Sequence, residues 1–132
     1  MSERRIINAD GAPAAIGPYS HAVAGAGLVF LSGQVGADPA SGDLADGVAA
    51  QAEQALRNIS VVLAAAGTDL AHVVKATIFL TDMDDFAAVN DVYARHVGEG
   101  RPARSTVTVA ALPKGALVEI EMTALARGEE RG

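Results

Sequence analysis

The sequence predicts an α+β fold: one mixed sheet of six strands with two helices on a single face. Three observations carry this. Two stretches, Val48 to Ala66 and Phe86 to Val97, repeat apolar residues at helical spacing. Several shorter runs, of which Val73 to Leu80 is the clearest, are apolar and bounded by turn residues. The order strand, helix, strand from Val73 to Val109 makes a crossover unit, which sets its two strands parallel with a right-handed connection.

Taken in order, Arg4 to Asn8 reads as a short edge strand, followed by turn residues at Asp10-Gly11-Ala12-Pro13. AIGPYS, residues 15 to 20, reads as a shaped loop in which Gly17 permits unusual backbone and Pro18 stiffens it. Ser20 to Ala24 and Leu28 to Gln34 form a hairpin across Gly25-Ala26-Gly27, and the second strand exits through Ser32-Gly33-Gln34. After a surface turn at Asp38 to Gly42, Asp43 or Asp46 is placed to cap the first helix. Its stripe is Val48, Ala52, Ala55, Leu56, Ile59, Val62, Leu63 and Ala66, ended by Gly67. Val73 to Leu80 is a central strand, apolar on both faces apart from Lys75 and Thr77. Asp82 or Asp84 then caps a second helix whose buried stripe is Phe86, Val89, Tyr93 and Val97, with Asn90 on the same side.

The stretch from Arg101 to Ala126 carries the chemistry. With period 2, Arg104, Thr106 and Thr108 share one face of a strand; after a turn at Leu112 to Gly115, Glu119, Glu121 and Thr123 share one face of the next. A guanidinium and two carboxylates thus fall on strands that read as core, where charge is costly unless paired or reserved for a ligand.

Bulk properties narrow the function. A chain of 132 residues makes one domain, and its last residues, 128 to 132, are expected to fray. With 50% apolar residues but only three Phe, two Tyr and no Trp, core volume is modest, and burial against partner subunits would help. The net charge of −6 repels phosphate backbones, so nucleic acid is not an expected partner. The absence of Cys removes disulfides and thiolate chemistry, and no apolar run reaches the roughly 18 residues that span a bilayer, so a cytoplasmic protein is expected. His21, His72 and His96 have no metal-ligand spacing, and the serines lack a histidine partner or a nucleophile elbow. No metal site and no cofactor are expected.

Several motifs, in order, match one family. APAAIGPYSHA, LSGQVGADPASGDL, NISVVLAAAG, VVKATIFLTDMDDFAAVNDVY, RPARSTVTV and LPKGALVEIE, spread over about Ala12 to Ala126, make the chain resemble the RidA (YjgF) family of enamine and imine deaminases. The resemblance implies a chorismate-mutase-like fold and a homotrimer with clefts between neighbouring subunits. It also implies that the final strand inserts between earlier strands instead of pairing with the Arg104 strand. By position, it makes Arg104 the group that grips the substrate carboxylate and Glu119 the group that positions water. Tyr19, Ser32, Gly33, Asn90 and Thr106 join Arg104 in binding substrate. Many members have Cys where Thr106 stands, so thiol-based regulation should be missing. Arg101 replaces a frequent aromatic, which leaves substrate size and charge open.

Each of these residues also has a plainer reading. Arg104 could form an ion pair with Glu119 or Glu121; Tyr19 could be a packing aromatic; Ser32-Gly33 could be an ordinary strand exit; Asn90 could be a structural clamp that must find partners because its side of the helix is buried. What the resemblance implies is hydrolysis of products such as 2-aminoacrylate to a keto acid and ammonia, without a cofactor. The rival readings are a trimer that binds or senses small carboxylates without catalysis, and a ribonuclease.

Overall fold

The computed structural model describes residues 3–127; the expectation of a frayed 128–132 falls outside them. The strands are β1 (Arg5–Ile7), β2 (Ala22–Gly25), β3 (Leu28–Leu31), β4 (Gln34–Val35), β5 (Val73–Leu80), β6 (Ala103–Thr108) and β7 (Val118–Leu125), and the helices are α1 (Val48–Ala65) and α2 (Phe86–Val97). The sheet runs β1-β2-β3-β7-β5-β6, with β4 also on β7. As the resemblance implied, β7 inserts between β3 and β5, antiparallel to both, while β5 and β6 are parallel across the α2 crossover.

Seven strands replace the expected six. The run from Leu28 to Gln34 is broken because its register on β7 slips: from Phe30 to Gln34 the chain takes four steps while β7 takes three, from Thr123 to Ile120. One residue too many is accommodated at Ser32-Gly33, in the manner of a bulge, and this lifts those two residues out of the ladder.

The α1 stripe is buried as its spacing predicts, with Ala52, Ala55, Leu56, Ile59, Val62 and Leu63 fully inaccessible and in one core with Val118, Ile120 and Met122 of β7. The helix also buries two amides, both satisfied. Gln51 accepts from Leu117 N–H and donates to the Ala45 carbonyl, and Asn58 donates to the Ala37 carbonyl and accepts from Gln54. At its C-terminus Gly67 adopts φ 83, which lets Gly67 N–H reach the Ala64 carbonyl and Thr68 N–H the Leu63 carbonyl. The expected N-cap is corrected: neither Asp43 nor Asp46 caps α1, whose N-cap is Gly47 without a side-chain bond. Asp38 takes the local capping role instead, accepting from Ala40 and Ser41 N–H, and folds the turn back on itself before the helix begins. Ahead of α2, Asp82 accepts from Asp84 N–H and so caps a short 3₁₀ turn, Met83–Asp85, that leads into the helix; Asp84 is not the cap. In α2 the buried residues are Val89, Val92 and Tyr93, whereas Phe86 is 39% exposed and Val97 half-buried.

Register fixes the two faces of the sheet. Arg104 lies opposite Ala76 and Ala76 opposite Met122; Thr106 lies opposite Ile78 and Ile78 opposite Ile120. Arg104 and Thr106 therefore sit on the helix-covered face. Glu119 pairs with Phe79, and Glu121 with Thr77, on the other face. That second face has no helix on it and leaves Ile6, Phe30, Val107 and Leu125 each at least 40% exposed.

Candidate active site

The residues singled out from sequence gather into two groups. Tyr19, Ser32, Gly33 and Glu119 line one cavity of about 610 Å³, with Ile16 and Lys114 among its other walls. Arg104, Asn90 and Thr106 meet elsewhere, around a tight void beneath α2 that also touches Phe86 and Val89. The two groups lie on opposite faces of the sheet, so a single chain does not bring them together.

In the first group, β7 presents Glu119 opposite Val35 of β4, beside the ladder break. Burial, and secondarily the charge of Glu121, hold the Glu119 carboxyl above its usual range. Gly33 has no side chain for a steric reason: a Cβ there would overlap Glu119 Oε2 and lie 2.8 Å from its carboxyl carbon. A Gly33→Ala variant is expected to push Glu119 aside. Since an ångström of misplacement at a reacting centre costs about a hundredfold in rate, its activity should fall by that order while its melting temperature changes little, as kinetics and thermal unfolding on one sample will show.

Ser32 uses its hydroxyl proton on the Ser20 carbonyl at 2.7 Å, so it fastens the Tyr19 loop and keeps only its oxygen lone pairs for a ligand. Tyr19 is 52% exposed, a wall of the cavity and not a core aromatic.

Two cavity residues escaped sequence reasoning. His21, expected to be an ordinary strand residue, is 4% exposed and pins the loop at three points. Its Nδ1 accepts from Ala9 N–H at 2.9 Å, its Nε2 donates to the Pro13 carbonyl at 2.7 Å, and its own N–H donates to Asn8 Oδ1 at 3.0 Å. The accepting Nδ1 fixes the tautomer with the proton on Nε2. The SH following GPY gave a signal only in its company with a Gly-Pro loop. Lys114, at φ 62, donates to the Gly42 carbonyl at 2.7 Å and ties the turn before β7 to the Asp38 loop.

In the second group, Arg104 Nη1 donates to Asn90 Oδ1 at 2.8 Å, and its guanidinium carbon lies 4.9 Å from the centre of the Tyr93 ring and 5.6 Å from that of Phe86. No carboxylate of the described residues pairs with it. The ion pair with Glu119 or Glu121 is thus corrected, because those acids point out of the opposite face. Asn90 finds the partner that its side of the helix requires, with its oxygen on Arg104. Thr106 Oγ1 and Tyr93 Oη are buried without partners among the described residues. No three His, Asp or Glu side chains among those residues gather as a metal site would need, and none of the described helices is long and apolar enough to cross a membrane.

Comparison with known proteins matches this arrangement to one family. The family model described as Endoribonuclease L-PSP covers residues 9–126. A 2-iminobutanoate/2-iminopropanoate deaminase of Capra hircus is 55% identical over 123 residues, 92% of this chain and 90% of that one. The crystal structure of RidA from a Psychrobacter species superposes with a TM-score of 0.89 at 48% identity, over 92% of this chain and 98% of that one. A putative endoribonuclease from Thermotoga maritima gives 0.90 at 46% identity, over 94% and 98%. With most of its length matched at this identity, and with its motifs in the expected order, the chain belongs to the Endoribonuclease L-PSP family, the RidA (YjgF) family of deaminases.

Proposed function

We propose that the protein hydrolyses small 2-imino acids, formed by tautomerisation of enamines such as 2-aminoacrylate, to the 2-keto acid and ammonia. The observation that carries this reading is the free fork of Arg104. A guanidinium has five N–H donors, and the one bond to Asn90 leaves enough of them to hold a carboxylate through two parallel hydrogen bonds. The relatives named as 2-iminobutanoate/2-iminopropanoate deaminases support the choice of ligand.

We further propose that the cleft forms between copies in a chorismate-mutase-like homotrimer. One copy supplies Glu119, Tyr19, Ser32 and Gly33, and its neighbour supplies Arg104, Asn90 and Thr106. The helix-free face, with Ile6, Phe30, Val107 and Leu125 exposed, is the surface that such an assembly would cover. A solution mass other than three times that of the chain removes this part of the reading.

In the scheme, the substrate carboxylate docks on Arg104. Glu119 accepts a proton from water as the water oxygen bonds to the iminium carbon, giving a carbinolamine. That proton passes from Glu119 to nitrogen, the C–N bond breaks with its electron pair on the departing ammonia, and the carbonyl forms as the hydroxyl proton returns to Glu119, which releases it to solvent. A carboxyl held above its usual range is a better base than an exposed one. Because imines already hydrolyse in water, positioning and electrostatics suffice, and the scheme calls on no metal or cofactor. We place the protein in the cytoplasm, since nothing in a Cys-free sequence calls for an oxidising compartment.

The test follows ammonia and keto acid from an imine generated in the assay: acceleration over buffer is expected. Tight binding of keto acid without acceleration would make the protein a carboxylate sensor. The family description also names an endoribonuclease; the charge of −6 opposes that activity, and RNA binding that persists at moderate salt would favour it.

A further inference from the structure

Phe86, Asn90 and Tyr93 are spaced i, i+4 and i+7 along α2, so they share one face of the helix, and all three meet Arg104. Ordinary packing explains this set poorly. Phe86 stays 39% exposed although it is a large apolar side chain, and Tyr93 is buried with its hydroxyl unpartnered among the described residues. What the described residues engage is the Tyr93 ring, which lies 4.9 Å from the Arg104 guanidinium carbon.

Both rings lie within the range at which a guanidinium is attracted to an aromatic face. A free arginine samples many rotamers and loses that freedom when it grips a ligand. Here the loss is met in advance by one hydrogen bond and two ring contacts. The hydrogen bond takes a single Nη1 proton and the ring contacts take none, so most of the N–H groups remain for an incoming anion. The free donors suit a flat, two-oxygen anion, which a carboxylate is.

We infer that Phe86, Asn90 and Tyr93 are positioning residues, an aromatic cradle on α2 that holds the Arg104 fork in place for the substrate carboxylate. This rests on the proposed deaminase reading and adds the residues that prepare its binding group. The cradle acts on ground-state and transition-state binding alike, so its loss should appear in KM and not in kcat.

The experiment measures KM and kcat for an imino acid generated in the assay, and Kd for 2-ketobutanoate by calorimetry, in the wild type and in Phe86→Leu, Tyr93→Leu and Tyr93→Phe. Each leucine variant is expected to raise KM and Kd by about threefold to thirtyfold, the range for a ring–cation contact, with kcat within about threefold. Tyr93→Phe keeps the ring and is expected to stay within about threefold in all constants. Phe86→Leu guards against misfolding as an explanation, since Phe86 lies outside the buried core; thermal unfolding of each variant is recorded alongside. Leucine variants that bind 2-ketobutanoate as tightly as the wild type overturn the cradle and leave the deaminase reading standing. A Tyr93→Phe loss as large as that of Tyr93→Leu also overturns it, because the hydroxyl and not the ring would then matter. A wild type that neither binds 2-ketobutanoate nor accelerates imine loss overturns the deaminase reading itself, and the cradle with it.

Discussion

Replacing Arg104 with alanine is expected to lower kcat/KM for imine hydrolysis by about two to four powers of ten. Each hydrogen bond to a charged partner contributes about 1.5–3 kcal/mol, the proposed grip has two of them, and about 1.4 kcal/mol corresponds to a factor of ten. Arg104→Lys should recover only part of the loss, because an ammonium supplies the charge without the planar fork. The fold should survive either change: no described carboxylate pairs with Arg104, so its removal leaves no buried acid stranded, only Asn90 Oδ1 short of one donor. The measurement is keto acid and ammonia release above the buffer rate. An alanine variant with full acceleration would end the proposal that this arginine holds the substrate.

Glu119→Gln is expected to reduce kcat by about a hundredfold to ten-thousandfold, the span over which a positioned base contributes, with substrate binding much less affected. The pH dependence follows from the direction of the Glu119 shift. Burial first, then Glu121, raise its proton affinity, so the base becomes protonated and the rate falls at a higher pH than an ordinary carboxylate would give. Glu121→Gln should move that acidic limb to lower pH. The same shift predicts an opposite effect on stability. The folded chain binds this proton more tightly than the unfolded chain does, so ionisation of Glu119 opposes folding. That cost is complete above the raised folded value and disappears as pH falls below the unfolded one. At neutral pH the neutral Glu119→Gln variant should therefore melt slightly higher than the wild type while nearly inactive, a trade expected of a strained functional group. A bell or limb that does not respond to Glu121→Gln would mean that another group titrates.

Much of this is legible in the sequence. The α1 stripe could be read because helical spacing and burial report the same thing, and the Gly67 stop because a chain reversal there demands φ 83. Placing β7 between β3 and β5 needed the family resemblance, since pattern alone favours a hairpin between neighbours in sequence. The break between β3 and β4 was hidden: a register slip depends on what the partner strand does about ninety residues away, and Ser32-Gly33 reads as a simple exit. The Asp38 turn reads as a turn and is one, but the cap was misjudged because residue type does not say where the first turn begins, and α1 starts after Gly47 instead of after an acid. Candidate groups could be found from residue type and period, but period 2 does not say which face of the sheet a set occupies. That is why Arg104 and Glu119 looked like neighbours.

Their separation has a consequence for how the protein is kept active. Within the proposed ring no copy owns a working site, and each lends one wall to the left and another to the right. A chain diluted until it stands alone would be idle, so abundance in the cell, not only folding, sets whether there is any turnover. A lesion in one chain is likewise never private; it is shared with a neighbour that carries no fault of its own.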